Sequence, residues 1–563
     1  MPSLSPESPL SRAARWALVT AVLANMAIQM VMASSGDTAT FDEPFHIGAA
    51  MEKYNGDLQW GADHPPFAHL ILGLPLQLLE FETPEHAAEQ IDFDGYVRGR
   101  DYMFQGGEDH AARVLQRARL AIVLVTLATM LILFLFAQDL FGFWGGVLAL
   151  IFASANPSVL AHGRLATTDM AVTGLVLASV WLIWRSRRSS RRTLVLSISA
   201  LMFGLALATK FTALVMLPLA LLLVLWSALR GEPEIQSGVP RVAVPGAMAR
   251  GFVSVILFGC VSLATVWAVY LAIDPQLEYR SRVTEEPVEL TDKIAALLPL
   301  PEPYRDGLRL QVMWDSVGRA GFLFGEKYLG GKASFYPASL AMKSPLALIA
   351  AFILGSIAWV TIRRRPLDLL MLLLLPVSFL LFAMTTGTNL GVRHVLIVPL
   401  FMALVGGAMA LKRSRAWLAA SIGLSVWALV ATWSSYPAHI AYINEAFGGS
   451  DNAYKLVGDS NVDWGQDLVR LRDYLESHEV PQPVWLAYFG QVPVEEYHLP
   501  VTIADPDTVG EIQGTLAISV SKINNSIPGS YDRLVENRRP FAQIGHSILL
   551  YHIGPSAAGA SNG

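Results

Sequence analysis

Two carboxylates stand side by side in Phe41-Asp42-Glu43-Pro44-Phe45-His46. On a helix Asp42 and His46 are four apart and share a face, while Asp42 and Glu43 point in different directions. One carboxylate is therefore a candidate general base. The plainer alternative is that Asp42 caps a surface helix and Glu43 complements its dipole. Asp63-His64-Pro65-Pro66-Phe67 reads by itself as a helix start with proline in the first turn.

Further polar groups fall between apolar runs. His162-Gly163-Arg164-Leu165-Ala166-Thr167-Thr168-Asp169 puts a base and an acid at a membrane boundary. Such groups serve a site, pair with each other or snorkel to headgroups. Gly325-Glu326-Lys327-Tyr328, Tyr336 and Lys343-Ser344-Pro345 come next, and Gly387-Thr388-Asn389-Leu390-Gly391-Val392-Arg393-His394 leads into another apolar run. Arg164, Lys343 and Arg393 are expected at about the same depth, where cations could hold a lipid phosphate or act as plain interface anchors. Asp459-Ser460-Asn461-Val462-Asp463-Trp464 imitates a calcium loop, but Trp464 stands where glycine is needed and Arg470 where glutamate is. The stretch is read as a turn and helix cap.

The elements that position these residues must be membrane helices. Hydrophobic residues make up 53% of the 563, and the mean hydropathy is +0.43, beyond what a soluble core needs. Crossing a bilayer takes roughly 20 apolar residues, and about eleven segments approach that length. They are 16–33, 120–137, 144–161, 170–184, 194–208, 212–229, 251–273, 345–362, 367–384, 395–411 and 417–433. The first has a charged start in Arg12 and Arg15 but no clear cleavage site, so it is expected to be retained. Arginines at 185–192 and 363–365, with Lys412, Arg413 and Arg415, mark the cytoplasmic loops. That places the N-terminus inside and the C-terminus outside, although Lys210 then falls on the outer side. The lone Cys260 offers no disulfide framework.

Three outer regions remain. In 34–112, Phe41 to Tyr54 and Pro65 to Leu79 read as short helices, and the acidic stretch from Glu80 to Asp109 as a mobile loop. The second region is 274–343. The third begins at 435 and reads as a small α/β domain to about 554, with a helix over 466–477 and strands near 484–489, 515–519 and 547–553. A disordered tail is expected over 555–563. The fold class is thus an all-α polytopic membrane domain over 1–434, with outer juxtamembrane helices, followed by the α/β domain.

The order of these motifs resembles the membrane-embedded GT-C glycosyltransferases that use polyprenyl-phosphate sugars, in particular the family 39 protein O-mannosyltransferases and the aminoarabinose transferases that modify lipid A. Asp42-Glu43 matches their acidic pair in the first outer loop. His64-Pro65-Pro66-Phe67 is similar to their basic-or-polar residue before Pro-Pro-Leu, with histidine and phenylalanine substituted. Gly163-Arg164 through Asp169 and Arg393-His394 resemble two further signatures, and Asp459 to Leu468 is similar to one in bacterial members.

The resemblance implies an inner-membrane enzyme that moves a sugar from a polyprenyl-phosphate donor to a protein, lipid or glycan acceptor on the outer face, with inversion. Asp42 would take the acceptor proton, and Glu43 and His64 would position the acceptor or a metal. Arg164, Lys343 and Arg393 would stabilise the departing phosphate, Asp169 would contact the sugar or support the site, and His394 would stand beside Arg393. A divalent metal, if one is used, would draw on Glu43, His46, His64 and His69. No nucleic-acid partner is expected. A transporter, the main alternative, would place charges at mid-span and repeat its halves. Neither pattern is visible. A non-catalytic membrane scaffold is the second alternative.

Overall fold

The computed structural model describes residues 11–82, 94–230, 244–281, 293, 297–363, 366–525 and 531–554. All eleven apolar segments are helical, but fewer of them are long membrane helices than the sequence suggests. Among the described residues six helices have the length and hydropathy to cross a membrane: Arg12–Ser34, Gly107–Phe141, Thr212–Leu229, Gly246–Ile273, Pro366–Ala383 and Arg415–Ser434. A seventh is available if Phe335–Lys343 and Leu346–Ile362, bent by 102° at their break, count as one span. Ser344-Pro345 makes that break, since proline interrupts a helix at the preceding residue.

The remaining apolar segments fall short for local reasons. In 144–161 the Asn156 Oδ1 accepts from Ser158 N at 2.9 Å and Pro157 starts a new short helix, Pro157–His162. The run at 395–411 divides into Ile397–Gly406 and a tighter turn to Leu411. Arg192–Leu207 is 16 residues long. Asp169–Ser186 carries Asp169 in its first turn and Arg185 in its last. Hydropathy counts apolar residues; it does not see where a cap or proline divides them.

The first loop is more ordered than expected. Helix Glu43–Tyr54 is followed by Phe67–Gly73 and a 3-10 turn to Leu78. The acidic stretch expected as a mobile loop contains a helix, Asp94–Phe104, while residues 83–93 lie outside the described set. This helix packs on Glu43–Tyr54 through Gly99, where a Cβ would come within 1.7 Å of the Pro44 carbonyl oxygen. Helix Gly107–Phe141 has 35 residues. At 1.5 Å per residue it is about 50 Å long, so it overruns a hydrocarbon core of about 30 Å and leaves turns beyond it to hold the loop.

After the last long helix the chain forms a mixed five-stranded sheet in the order β4-β3-β5-β7-β6. The strands are β3 Val484–Ala487, β4 Thr502–Ile503, β5 Gly514–Ser519, β6 Ala542–Ile544 and β7 Ile548–Ile553. β3 runs parallel to β4 and β5, with Trp485 opposite Leu516. β7 is antiparallel to β5 and β6. The central β5 is buried from Thr515 to Ser519, as a strand covered on both faces should be. Helix Leu468–Ser477 agrees with the expected 466–477. A hairpin, β1 Ala320–Leu323 and β2 Glu326–Leu329, was not anticipated. The expected disordered tail 555–563 lies outside the described residues.

Candidate active site

The sequence-adjacent acids Asp42 and Glu43 have different surroundings. Glu43 is fully buried, and Arg119 reaches it from the long helix: Nε donates to Oε1 at 2.8 Å and Nη2 to Oε2 at 2.7 Å. Thr40 N and Ala166 N donate to the same carboxylate, each at 2.8 Å. Arg119 also donates to the carbonyls of Ser34, Asp37 and Thr38. The Glu43 carboxylate is thus engaged by protein donors on both oxygens, the arrangement of a structural anchor, whereas the sequence reading places it in catalysis or at a metal. Asp42 sits at the N-cap position, yet its side chain makes no capping bond, so the plainer alternative fails. Its carboxylate is 21% exposed, Arg393 Nη1 lies 3.0 Å from Oδ2, and Tyr96 Oη donates to Oδ1 at 3.4 Å. Phe41 beside it stacks on Phe489 at 4.9 Å and meets Tyr96 edge-on at 5.3 Å.

Arg393 joins Asp42 to Asp169. Its Nη1 is 3.6 Å from Asp169 Oδ2, and Lys210 Nζ donates to Asp169 Oδ1 at 2.5 Å. Asp42, Arg393, Asp169 and Lys210 thus form a chain of alternating charge. Lys210, the misfit in the loop charges, is a site residue that sequence reasoning missed. The signal was there: a lysine where the orientation rule wanted none.

A pocket opens on this chain. Its polar lining includes Asp169, Lys210, Arg393 and His394, and its apolar lining includes Val172, Met216, Phe379 and Ile397. Burial, together with the positive field of Lys210 and Arg393, holds His394 well below its ordinary pKa, so it is a neutral imidazole at pH 7. The cations of the pocket are Lys210 and Arg393.

Arg393 is set by the segment after Gly458. Ser460 Oγ accepts from Arg393 Nε at 3.2 Å, Asn461 Oδ1 accepts from Val392 N at 2.9 Å, and the Arg393 guanidinium lies 4.2 Å from the Trp464 ring centre. A Cβ on Gly391 would meet Ser460 Oγ at 2.2 Å, so only glycine admits this approach. The turn reading of 459–468 holds, and the turn is also the cradle of Arg393.

The other expected phosphate cations are placed differently. Lys343 is buried and donates to the backbone carbonyls of Ile440 and Asn461. Arg164 is buried between Asp37, at 2.5 Å, and His439 Nδ1, at 3.0 Å. Both join loops, Lys343 through two backbone carbonyls and Arg164 through its two terminal nitrogens, while Arg164 Nε is buried without a partner. Asp37 also takes Arg470 Nη2 at 2.6 Å. Burial alone would raise the Asp37 carboxyl, but Arg164, Arg470 and Arg119 outweigh it and hold it below its ordinary value.

His64 is paired with Asp63 at 3.1 Å and meets the His46 ring at 5.1 Å, while His46 Nδ1 is 3.1 Å from His69 Nε2. The three histidines cluster beside the pocket, and Glu43 is not with them. Burial keeps His46 and His69 neutral. Among the described residues no group of three or more His, Cys, Asp or Glu is arranged to hold a metal ion.

These features define a multi-pass membrane protein whose helix ends meet a small α/β domain around a narrow pocket lined by charged and apolar side chains. Residues 111–249 match the family described as dolichyl-phosphate-mannose-protein mannosyltransferase. The matched segment contains Arg119, Arg164, Asp169 and Lys210, and with it the resemblance read from the motifs is borne out. No curated protein sequence matches the chain. ArnT from Cupriavidus metallidurans bound to undecaprenyl phosphate is similar in structure, at 13% identity and a TM-score of 0.49 over 94% of this chain and 97% of that one. AglB from Archaeoglobus fulgidus, in complex with an inhibitory peptide and a dolichol-phosphate, gives 11% identity and a TM-score of 0.41 over 90% and 69%. The S. cerevisiae Pmt1-Pmt2 complex bound to the sugar donor gives 14% and 0.33 over 47% and 34%.

Proposed function

We propose that this protein is a membrane glycosyltransferase that moves a sugar from a polyprenyl-phosphate carrier to an acceptor hydroxyl at the outer face of the inner membrane. The observation that carries the reading is a pocket lined both by the cations Lys210 and Arg393 and by the apolar side chains of Val172, Met216, Phe379 and Ile397. A phosphate on a hydrocarbon tail needs that pairing of cation and apolar wall. The family match over 111–249 supports it independently.

In this reading Lys210 and Arg393 receive the charge that develops on the phosphate as the anomeric carbon–oxygen bond breaks, so no general acid is required there. Asp42 takes the proton of the acceptor hydroxyl as the new bond forms, and a single displacement inverts the anomeric centre. Asp169 holds Lys210 and Arg393 in register. Tyr96, Phe41 and Phe489 give the acceptor an aromatic surface beside Asp42. Charges gathered at the helix ends, and not at mid-span, weigh against a transporter.

The test is transfer by purified protein in lipid vesicles, with a panel of polyprenyl-phosphate sugars and release of polyprenyl phosphate as the readout. Wild type should consume at least one donor, and Asp42→Asn should lose roughly 10²- to 10⁴-fold in rate while remaining folded. Equal turnover by both proteins would remove Asp42 from the reaction.

A further inference from the structure

A second concavity lies outside the pocket of Lys210 and Arg393. It has a volume of about 470 Å³ and lies between the segment that follows the last long helix and the α/β domain. That size falls within the range of small-ligand clefts. Tyr436, Tyr442, Glu445, Asp451, Arg470 and His546 line it. Charges of both signs face one space, so an anion would meet Glu445 and Asp451 and a cation would meet Arg470. A neutral polyol suits both: its hydroxyls donate to carboxylates and accept from a guanidinium.

Among the described residues, two groups in the groove lack a hydrogen bond, the Tyr442 hydroxyl and His546 Nδ1, and the second lies 3.4 Å from Asp451 Oδ1. Tyr442 is 4% exposed, and its buried hydroxyl has no hydrogen bond. Buried hydroxyls are nearly always bonded, so this one points to a ligand. The groove also borders the lipid-facing helix Arg415–Ser434. Trp427 Nε1 donates to Glu445 Oε1 at 3.4 Å, and the Trp433 ring is 6.0 Å from that of Tyr436. Trp427 and Trp433 are 40% and 45% exposed. Exposed tryptophans on such a helix sit at headgroup level, so the groove lies at the height of the membrane surface.

We propose that this groove is a second carbohydrate site, which holds a neutral saccharide through Glu445, Asp451, Arg470 and the Tyr442 hydroxyl, with the Tyr436 ring as a stacking face. Its purpose, to retain the glycan part of the acceptor, rests on the transferase reading; the binding itself does not. The sugar comes either from a free glycan or from the headgroup of a glycolipid.

The test uses the full chain in lipid nanodiscs. The probes are fluorescent tetrasaccharides of glucose, mannose, galactose and N-acetylglucosamine, and nanodiscs containing a diglucosyl lipid. Saturable binding to at least one probe is expected, weakened roughly tenfold by Tyr442→Phe and by Asp451→Asn, and kept by Asp42→Asn. Removing an unbonded hydroxyl should leave folding intact, which makes Tyr442→Phe a clean variant. Binding of free tetrasaccharide in plain nanodiscs assigns a free glycan, and binding only of the diglucosyl lipid assigns a glycolipid. Absence of saturable binding to every probe, or binding unchanged by both Tyr442→Phe and Asp451→Asn, overturns the proposal. If groove binding holds while every donor fails to react, the transferase reading falls and the site stands.

Discussion

Replacing Glu43 by glutamine leaves the buried Arg119 guanidinium without its carboxylate partner. Breaking such a pair from one side costs about 3–5 kcal/mol. Glu43→Gln should therefore lower the melting temperature, while the folded fraction keeps its donor KM. Asp42→Asn should do the reverse, because the Asp42 carboxylate is partly exposed and supports no backbone. A thermal melt and a rate measured on one preparation of each variant separate the two roles, and an inactive but fully stable Glu43→Gln would reverse them. Lys210→Met should raise the donor KM at least tenfold, through loss of one charged hydrogen bond to the phosphate worth about 1.5–3 kcal/mol. Since His394 is held neutral, its titration should leave no step in the pH–rate profile near its usual range. At this scale the sequence allowed Asp42, Asp169 and Arg393 to be singled out, because charged residues beside apolar runs are costly and conspicuous. It did not distinguish Arg393 from Arg164 or Lys343. The three differ only in which acceptors surround them, and those acceptors come from distant residues such as Asp37 and Asn461.

The segment 459–467 links the α/β domain to the pocket. Its Ser460, Asn461 and Trp464 shape the surroundings of Arg393, and Asp463 Oδ2 accepts from Ser521 N at 2.8 Å in the sheet domain. Arg470 on the following helix is pinned to Asp37 in the first loop. Asp37 is the node that should give way in acid. Its folded pKa is lowered, so its contribution to stability is complete above its ordinary value of 3.8 and is lost as pH falls through the still lower folded value. The melting temperature of the wild type should therefore drop more steeply from pH 5 to pH 3 than that of Asp37→Asn, and parallel curves would show that Asp37 does not anchor the domain. Strands β3, β5 and β7 were legible because each is a short apolar run between turn residues, whereas β4 and β6, two and three residues long, are too short to leave a pattern. The hairpin β1–β2 was not legible either, since its strands have four residues each and β2 is nowhere buried. The helix Asp94–Phe104 lay hidden in an acidic stretch, since it packs through Gly99 against the Pro44 carbonyl and through Tyr102 and Met103 at its C-terminal end, with no apolar periodicity along its length.

For the whole molecule the sequence conveyed the membrane class at once, since hydropathy is a sum over residues and survives errors of boundary. The number of full spans did not survive, because Ser344-Pro345, Asn156-Pro157 and the short helix Arg192–Leu207 break or curtail runs that look continuous in composition. Which side the α/β domain faces follows from loop charge alone, and it can be measured apart from any activity. In a Cys260→Ser background, a cysteine at Glu476, exposed on helix Leu468–Ser477, should react in intact cells whose outer barrier has been opened, using a maleimide that does not cross the inner membrane. A cysteine at Arg413, in a short basic loop, should react only after the inner membrane is permeabilised. The site shares the end of the bundle that carries the α/β domain, because Trp464 from that end lies under Arg393. Labelling at Glu476 before permeabilisation would therefore place Asp42, Lys210 and the sugar donor's phosphate on the outer side together. The opposite pattern would move the reaction to the cytoplasmic face and require a donor presented there.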